Sequence, residues 1–213
     1  MFIRRLPIGP IETNAYVAAH EASRDAIVID PGGPPDAIMG VLNANRFKLH
    51  AIVNTHGHGD HIAGDVALKK LTGAPIWVHE ADAAMMTDPV ANLLSWAGVD
   101  VETAPADRLL REGDTITLGD EQADAAVLRV VHTPGHTPGG IALVGDGFVF
   151  SGDSLFASGI GRTDLPGGSE YQLMTSIRDK LLSLPDETIV YPGHGPETTI
   201  GQERRYNPFL RGL

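Results

Sequence analysis

The sequence contains no cysteine among its 213 residues. This absence excludes disulfide bonds, thiolate metal ligands and a thiol nucleophile. If the chain binds a metal ion, nitrogen and oxygen atoms must hold it, and such ligands suit zinc, iron or manganese.

The sequence also lacks the long apolar run of about 20 residues that a membrane-spanning helix requires. Arg4 and Arg5 are not followed by the apolar stretch of a signal peptide, so we expect a cytoplasmic protein with no membrane partner. Basic residues are few as well, with 16 Lys and Arg against 27 Asp and Glu and a net charge of -11. An acidic surface repels phosphate backbones, which argues against a nucleic-acid partner.

What the sequence does contain is a regular succession of apolar runs ended by glycine or proline, which are typical of strands and turns. The length and a hydrophobic fraction of 42% favour one domain over residues 1–213. Two runs of strands, each followed by helices, predict an α/β fold with two sheets packed face to face and helices outside. The predicted strands are 2–7, 14–20, 26–30, 49–54, 75–78, 115–118, 125–131, 141–144, 148–151 and 188–191. The predicted helices are 36–45, 62–71, 89–98, a long helix opened by Ser169 with apolar residues at 171, 174, 177, 181 and 184, and a short one after Thr199.

One stretch, residues 55–61 (Thr-His-Gly-His-Gly-Asp-His), places four metal-capable side chains directly after a strand. An extended chain puts residues i and i+2 on the same side, so His56 and His58 can face one ion. Asp60 and His61 would point at a second position, where the chain turns towards the helix predicted from Ile62. A polar cluster after a buried strand is unfavourable unless something satisfies it, so the pattern indicates a metal site.

Three further loops each follow an apolar strand and carry one ligand candidate. They supply His136, Asp153 and His194. Loops at the strand ends on one edge of a sheet can converge. With the first motif they provide five histidines and two aspartates, which is enough for two ions.

These motifs, in the order His-x-His-x-Asp-His, Thr-Pro-Gly-His-Thr-Pro, Gly-Asp and Pro-Gly-His, resemble the metallo-β-lactamase superfamily. Within it the chain is similar to the glyoxalase II-like (hydroxyacylglutathione hydrolase-like) enzymes of a short bacterial type without the C-terminal helical domain. The resemblance runs from about residue 10 to residues 207–210. It implies a four-layer αββα sandwich of two mixed sheets with the metals at one edge.

The resemblance also implies a ligand set and a reaction. It assigns His56, His58 and His136 to one ion, Asp60, His61 and His194 to the other, and Asp153 to the bridge between them. Two divalent ions, with zinc favoured and iron or manganese as alternatives, would hold a hydroxide and lower the pKa of water from about 15.7 to about 7. The metal-bound hydroxide would cleave a small-molecule thioester, first of all S-2-hydroxyacylglutathione, and Asp60 would relay the proton.

Residues 161–166 (Gly-Arg-Thr-Asp-Leu-Pro) stand where long glyoxalase II enzymes carry a Lys and a Tyr for glutathione. We expect Arg162 to bind a substrate carboxylate, with a structural ion pair as the alternative. The same run resembles the persulfide dioxygenases of the superfamily, in which two histidines and one aspartate hold a single iron. In that alternative His56, His136 and Asp153 would be the iron ligands.

Two other functions are less favoured. The bridging Asp153 and the glyoxalase-like tail argue against β-lactamase activity. A non-catalytic metal-binding protein is the third hypothesis, but structural zinc sites are closed and tetrahedral, whereas seven ligands shared by two ions leave open positions.

Four more residues are interpreted as structural or packing residues, namely His20, His50, Trp77 and Trp96. His79 is interpreted as a structural residue too. His132 could instead hold the metal-ligand candidate His136 in position without binding the metal itself.

Overall fold

The computed structural model describes residues 1–98, 100–120 and 123–212. Its strands are β1 (Phe2–Ile8), β2 (Thr13–Ala19), β3 (Asp25–Ile29), β4 (Lys48–Val53), β5 (Ile76–His79), β6 (Arg108–Leu110), β7 (Thr115–Asp120), β8 (Asp124–His132), β9 (Ile141–Gly145), β10 (Phe148–Gly152), β11 (Leu155–Phe156), β12 (Gly159–Ile160), β13 (Ile189–Pro192) and β14 (Thr198–Thr199). The α-helices are α1 (Asp36–Asn45), α2 (Gly59–Ile62), α3 (Asp65–Thr72), α4 (Leu94–Ala97), α5 (Glu170–Ser176) and α6 (Ile200–Tyr206).

Two six-stranded mixed sheets form the centre of the fold. The first has the order β1-β2-β3-β4-β5-β6, antiparallel from β1 to β3 and parallel from β3 to β6. The second has the order β14-β13-β10-β9-β8-β7 and contains one parallel pair, β10 with β13. Strands β11 and β12 form a separate small hairpin.

Alternation along the strands divides the apolar side chains into three buried clusters. Ile27 and Ile29 of β3 face the second sheet, where they pack in one cluster with Leu143 and Phe150. Val28, between them, points the other way and packs against α1 and α3 in a second cluster, as expected for a strand buried on both faces. A third cluster lies between the outer face of the second sheet and α5. This arrangement confirms the predicted αββα sandwich of two mixed sheets.

The predicted helix starts are confirmed where side chains cap them. Ser169 Oγ accepts a hydrogen bond from the Gln172 backbone N–H (3.4 Å), and Thr199 Oγ1 accepts one from that of Gln202 (3.2 Å). The apolar stripe of the helix after Ser169 was predicted to include residue 171, and this is wrong. Tyr171 is 81% exposed, whereas residue 173 is buried, because the buried residues follow one another four apart. They are Leu173, Ile177 and Leu181, the last two in a π-helical turn.

Two other predicted helices are shorter or interrupted. The helix expected over 62–71 begins at Gly59 and breaks at Gly64, whose N–H donates to the Pro31 carbonyl (2.7 Å) at a contact too close for a side chain. The helix expected over 89–98 is mostly turns, because side chains of Asp88 and Asn92 accept hydrogen bonds from the backbone that a helix would use. Trp96, expected to pack, is 77% exposed. Over the described residues, no helix has the length and apolarity to cross a membrane.

Candidate metal centre

The seven ligand candidates lie at one edge of the sandwich, on loops that follow β4, β8, β10 and β13. His58 has extended backbone angles and immediately precedes α2. Asp60 and His61 therefore belong to the first turn of this helix, which starts three residues earlier than predicted. The His61 ring centroid lies 4.1 Å from that of His56, so the two positions predicted from this motif adjoin each other.

Three buried imidazoles form the first group of ligand candidates. The ring centroids of His56, His58 and His136 are 4.7 to 4.8 Å apart, and the rings stand nearly perpendicular to one another. His58 Nδ1 lies 3.0 Å from His136 Nε2. One ligand atom from each residue lies within 4.8 Å of the other two, close enough to hold one ion.

Asp60, His61 and His194 form the second group. Asp60 Oδ2 lies 3.3 Å from Nε2 of His61 and 3.3 Å from Nε2 of His194. The Thr13 hydroxyl donates a hydrogen bond of 2.8 Å to the same oxygen and thereby fixes the carboxylate. His61 is fully buried, while the side chains of Asp60 and His194 are 27% and 28% exposed, so this group faces the solvent side of the cluster.

Asp153 lies between the two groups. Its Oδ2 is 3.5 Å from His136 Nε2 and 3.6 Å from His194 Nε2, and its Oδ1 is 3.4 Å from His61 Nε2. A single carboxylate thus reaches nitrogen atoms of both groups. This is the placement that a bridging ligand requires.

Neighbouring polar groups indicate which ring nitrogen His136, His56 and His61 present. His136 Nδ1 donates to the Arg162 carbonyl (2.7 Å), so its Nε2 faces the cluster. The Thr55 hydroxyl donates to Asp30 (2.7 Å), and its oxygen is left to accept from His56 Nδ1 at 3.1 Å. Asp30 Oδ2 also lies 3.0 Å from His61 Nδ1. In each case Nε2 is directed into the cluster.

Several buried atoms that face this space have no hydrogen-bond partner among the described residues. They include His56 Nε2, His61 Nε2 and Asp153 Oδ1. Unpaired buried lone pairs are unfavourable, and a cation that accepts all of them would remove the penalty. The donor set of imidazole nitrogens and carboxylate oxygens therefore fits divalent metal ions.

The pKa shifts of the histidines differ between the two groups of ligand candidates. Burial and the neighbouring histidines lower the pKa of His58 to about 3, and they hold the pKa of His56 well below its usual range. Burial lowers the pKa of His61 too, but Asp60, Asp153 and Asp30 together raise it well above normal. His56 and His58 are thus neutral, whereas the second group attracts positive charge.

The Arg162 side chain, the predicted substrate ligand, is paired within its own loop. Its Nε and one terminal NH2 group each donate to the Asp164 carboxylate at 2.8 Å, and 63% of the side chain is exposed. The backbone carbonyl of Arg162 contacts the cluster by accepting from His136. Substrate binding by the guanidinium remains a prediction.

Sequence reasoning missed Asp82, which connects two ligand loops. This aspartate is fully buried in the turn Glu80–Asp82. Its Oδ2 accepts from the Gly57 N–H (3.0 Å) and the Thr137 hydroxyl (2.7 Å), and its Oδ1 accepts from the Gly139 N–H (2.6 Å). Gly57 separates His56 from His58, and Thr137 follows His136. One carboxylate therefore holds all three residues of the first group in register, and its neighbourhood has no local signal of this role.

The other histidines lie outside the cluster. His20 and His50 contact Asp124 and Asp25 near the surface. His79 and His132 stack on each other with centroids 4.1 Å apart, and His132 Nε2 donates to the Pro138 carbonyl (2.8 Å). His132 thus supports the loop that carries His136 through the Pro138 carbonyl.

Comparison with known proteins gives a consistent result. A family model described as the metallo-beta-lactamase superfamily matches residues 8–194. The chain is 39% identical to the probable metallo-hydrolase YqgX of Bacillus subtilis, with 99% of this chain and 98% of that protein covered. It is 35% identical to the hydroxyacylglutathione hydrolase GloC of Haemophilus influenzae, again with 99% and 98% covered.

Solved structures agree with the observed fold. BLEG-1 B3 metallo-beta-lactamase superposes with a TM-score of 0.92 at 41% identity, covering 99% of this chain and 100% of that one. TTHA1623 in a di-iron-bound form gives 0.85 at 36% identity, covering 97% and 100%. ETHE1 from Myxococcus xanthus gives 0.80 at 32% identity, covering 100% and 85%.

Proposed function

The chain belongs to the metallo-beta-lactamase superfamily, and from that membership we propose that it is a metal-dependent hydrolase that cleaves thioesters, first of all S-2-hydroxyacylglutathione. The observation that carries the proposal is the cluster of buried, unpartnered imidazole and carboxylate atoms at one edge of the sandwich. The substrate class is supported by the similarity to a relative named hydroxyacylglutathione hydrolase, which the chain matches over 98% of its length.

Two ions are proposed, with zinc favoured and iron or manganese as alternatives. A di-iron-bound structure among the similar proteins supports a binuclear centre. The proposed ligands are His56, His58 and His136 for the first ion, Asp60, His61 and His194 for the second, and Asp153 for both. When bound, such ions supply polarisation of the thioester carbonyl and a water molecule of lowered pKa.

Asp60 is the residue that we propose accepts the proton of the attacking water. Water forms a bond to the acyl carbon, the carbon–sulfur bond breaks, and the thiol leaves with a proton. The Thr13 hydroxyl holds Asp60 through Oδ2, whereas no described residue donates a hydrogen bond to Oδ1. We propose that Oδ1 of this partly exposed carboxylate takes the proton of the attacking water.

The test is metal analysis of protein purified without added metal, followed by a thioester assay under strict anaerobiosis with zinc or manganese as the sole metal. We expect two ions per chain and release of free thiol from S-D-lactoylglutathione. One tightly bound iron with no second ion after metal supplementation would refute the binuclear centre. Absence of thiol release from any thioester would refute the hydrolase.

A second candidate, a persulfide dioxygenase with one iron, is favoured by the Gly-Arg-Thr-Asp run at residues 161–164. His136 Nε2 lies 3.5 Å from Asp153 Oδ2, and the His56 ring lies 4.8 Å from the His136 ring, so two histidines and one aspartate are available. An oxygenase needs Fe(II) with positions open to oxygen, whereas the hydrolase needs no redox change. Iron-dependent oxygen uptake with glutathione persulfide in air would support this candidate.

The similarity to a B3 metallo-beta-lactamase requires a third arm of the assay. A β-lactam is an amide rather than a thioester, and its hydrolysis is followed by loss of the ring absorbance. We expect thioester turnover to exceed β-lactam turnover at equal metal loading. The reverse order would assign the chain to β-lactam hydrolysis.

A further inference from the structure

A pocket opens beside the second group of ligand candidates. It has a volume of about 210 Å³, and Asp60 forms part of its wall. Pro10 and Ile11, from the turn between β1 and β2, form one side, and the segment 92–94 forms the other. A substrate whose reacting carbon lies at the metal centre would extend a neighbouring group directly into this space.

The walls of the pocket are mostly apolar. Ile11, Ala63, Leu93 and Leu94 line it, and among the described residues that do so there is no lysine or arginine. The carboxylates of glutathione, or the phosphates of a nucleotide carrier, would lose their hydration here without gaining an ion pair. The pocket therefore does not fit a charged thiol carrier, and the acyl side of the thioester is the part that can enter it.

The segment on the far side is fixed to the metal centre by its backbone. The Gly59 N–H donates to the Asn92 carbonyl at 2.7 Å. A Cβ atom at Gly59 would lie 2.5 Å from Leu94 Cγ, so the segment packs against the first residue of α2 as closely as a glycine allows. Leu93, between them, has a φ of 70°, a conformation that non-glycine residues seldom adopt.

Asn92, in the wall of this apolar pocket, has a fully buried side chain. Its Oδ1 accepts from the Leu94 N–H at 3.1 Å, which fixes the orientation of the amide. Its Nδ2 is buried and has no partner among the described residues. Because the Asn92 amide lies behind the pocket surface, the surface offered to a ligand is that of the apolar side chains Ile11, Ala63 and Leu94.

We propose that this pocket is the acyl subsite and that it selects 2-hydroxyacyl groups with a bulky apolar substituent, such as phenyl, over lactoyl. This inference rests on the proposed function and specifies its substrate. An apolar cavity of about 150 Å³ holds a benzene molecule, so a space of this size accepts a phenyl group with little to spare. Ile11 would cover the apolar substituent.

The test compares S-mandeloylglutathione with S-lactoylglutathione, which share the carrier and the 2-hydroxyl and differ in phenyl against methyl. We expect kcat/KM to be at least about tenfold higher for the mandeloyl thioester, since pocket contacts of this kind give discrimination of 10- to 200-fold. Ile11→Ala should reduce this ratio by about three- to tenfold. The matched control is Val90→Ala, because Val90 is 58% exposed against 59% for Ile11 and does not line the pocket.

A second variant, Ala63→Leu, fills the pocket from the residue that follows α2 and should reverse the preference if the protein folds and binds metal as the wild type does. Calorimetric titration with mandelate and with lactate gives a readout independent of turnover, and mandelate should bind more tightly. Equal rates and equal binding for the two groups would overturn the acyl subsite and leave the hydrolase intact. Tighter binding of mandelate without hydrolysis of either thioester would overturn the hydrolase and support the subsite.

Discussion

Replacing Asp82 by asparagine tests how the first group of ligand candidates is held. The substitution keeps the shape of the side chain but turns one acceptor oxygen into a donor. In the native protein both oxygens accept, from Gly57 and Thr137 at Oδ2 and from Gly139 at Oδ1. No orientation of an asparagine amide can satisfy all three donors.

The magnitude follows from the two ways in which the amide can lie. With Nδ2 in the place of Oδ2, the Thr137 hydroxyl can turn and accept, but the Gly57 N–H loses its acceptor. With Nδ2 in the place of Oδ1, the Gly139 N–H loses its own. Either way one buried N–H is left unpaired, which costs about 1–3 kcal/mol. Burial raises the pKa of Asp82, so removing the charge recovers part of this, and we expect the free energy of unfolding to fall by about 2 kcal/mol.

Zinc affinity should fall as well, by about 10- to 100-fold, because Gly57 and Thr137 are adjacent to His56, His58 and His136. The assay is chemical denaturation of metal-free protein together with calorimetric titration of zinc. Glu80→Gln is the control, since Glu80 lies in the same turn but is exposed and pairs with Arg111 at 2.8 Å. Unchanged zinc affinity in a destabilised Asp82→Asn protein would show that Asp82 supports packing alone, and unchanged stability would refute the hydrogen-bond reasoning.

Three further predictions concern the bridge, a titrating histidine and a close backbone contact. Asp153→Asn should lose the second metal and at least about 100-fold in kcat, whereas near wild-type turnover with full metal content would show that Asp153 is not the bridge. Burial and His132 lower the pKa of His79 to about 4, below the value of 6.5 in an unfolded chain. Between about pH 6.5 and about pH 4 the unfolded state therefore binds a proton at His79 that the folded state does not bind, so stability falls as the pH drops through this range. The control variant His79→Asn keeps an acceptor for the Ala81 N–H. The unfolding free energy of the wild type, measured relative to that of this variant, should fall by about 2 kcal/mol between pH 7.5 and 4.5. A difference that stays constant over this range would contradict the lowered pKa of His79. Gly161→Ala would place a Cβ 1.8 Å from the Asp153 carbonyl oxygen and should lower the free energy of unfolding by at least about 2 kcal/mol. The control Gly40→Ala, in α1 with no atom within 4 Å of the added Cβ, should raise the free energy of unfolding by about 0.5–1 kcal/mol. Equal effects of the two substitutions would refute the steric argument.

The positions that the sequence predicted best are those with a local signal. His56 and His58 alternate across Gly57 after an apolar strand, and this spacing alone places both rings on one side. His136, Asp153 and His194 each follow a strand, and strands in a sandwich end at shared edges. The start of α2 was misplaced because its only local sign is the extended backbone of His58, which a residue type does not reveal.

Residues that act across the fold had no such signal. Asp82 accepts from Gly57, 25 positions earlier, and from Gly139, 57 positions later. Asp30 reaches Thr55 and His61 across the first sheet at a similar separation. Both are single aspartates after a strand, a pattern that also fits an ordinary turn. Their roles follow from pairings between distant segments, which periodicity and spacing do not encode.

The same reasoning explains why the ligands predict a metal centre better than they predict a substrate. Imidazoles and carboxylates at the strand ends suit a hydrolase and an iron oxygenase alike. What differs between substrates is the wall around the second ligand group, and here that wall consists of residues such as Ile11, Leu93 and Leu94. An apolar residue in a loop has the same sequence signature whether it packs in a core, covers a surface or lines a pocket. Only the placement of Leu94 against Gly59, beside Asp60, brings this side chain to the wall of the proposed acyl subsite.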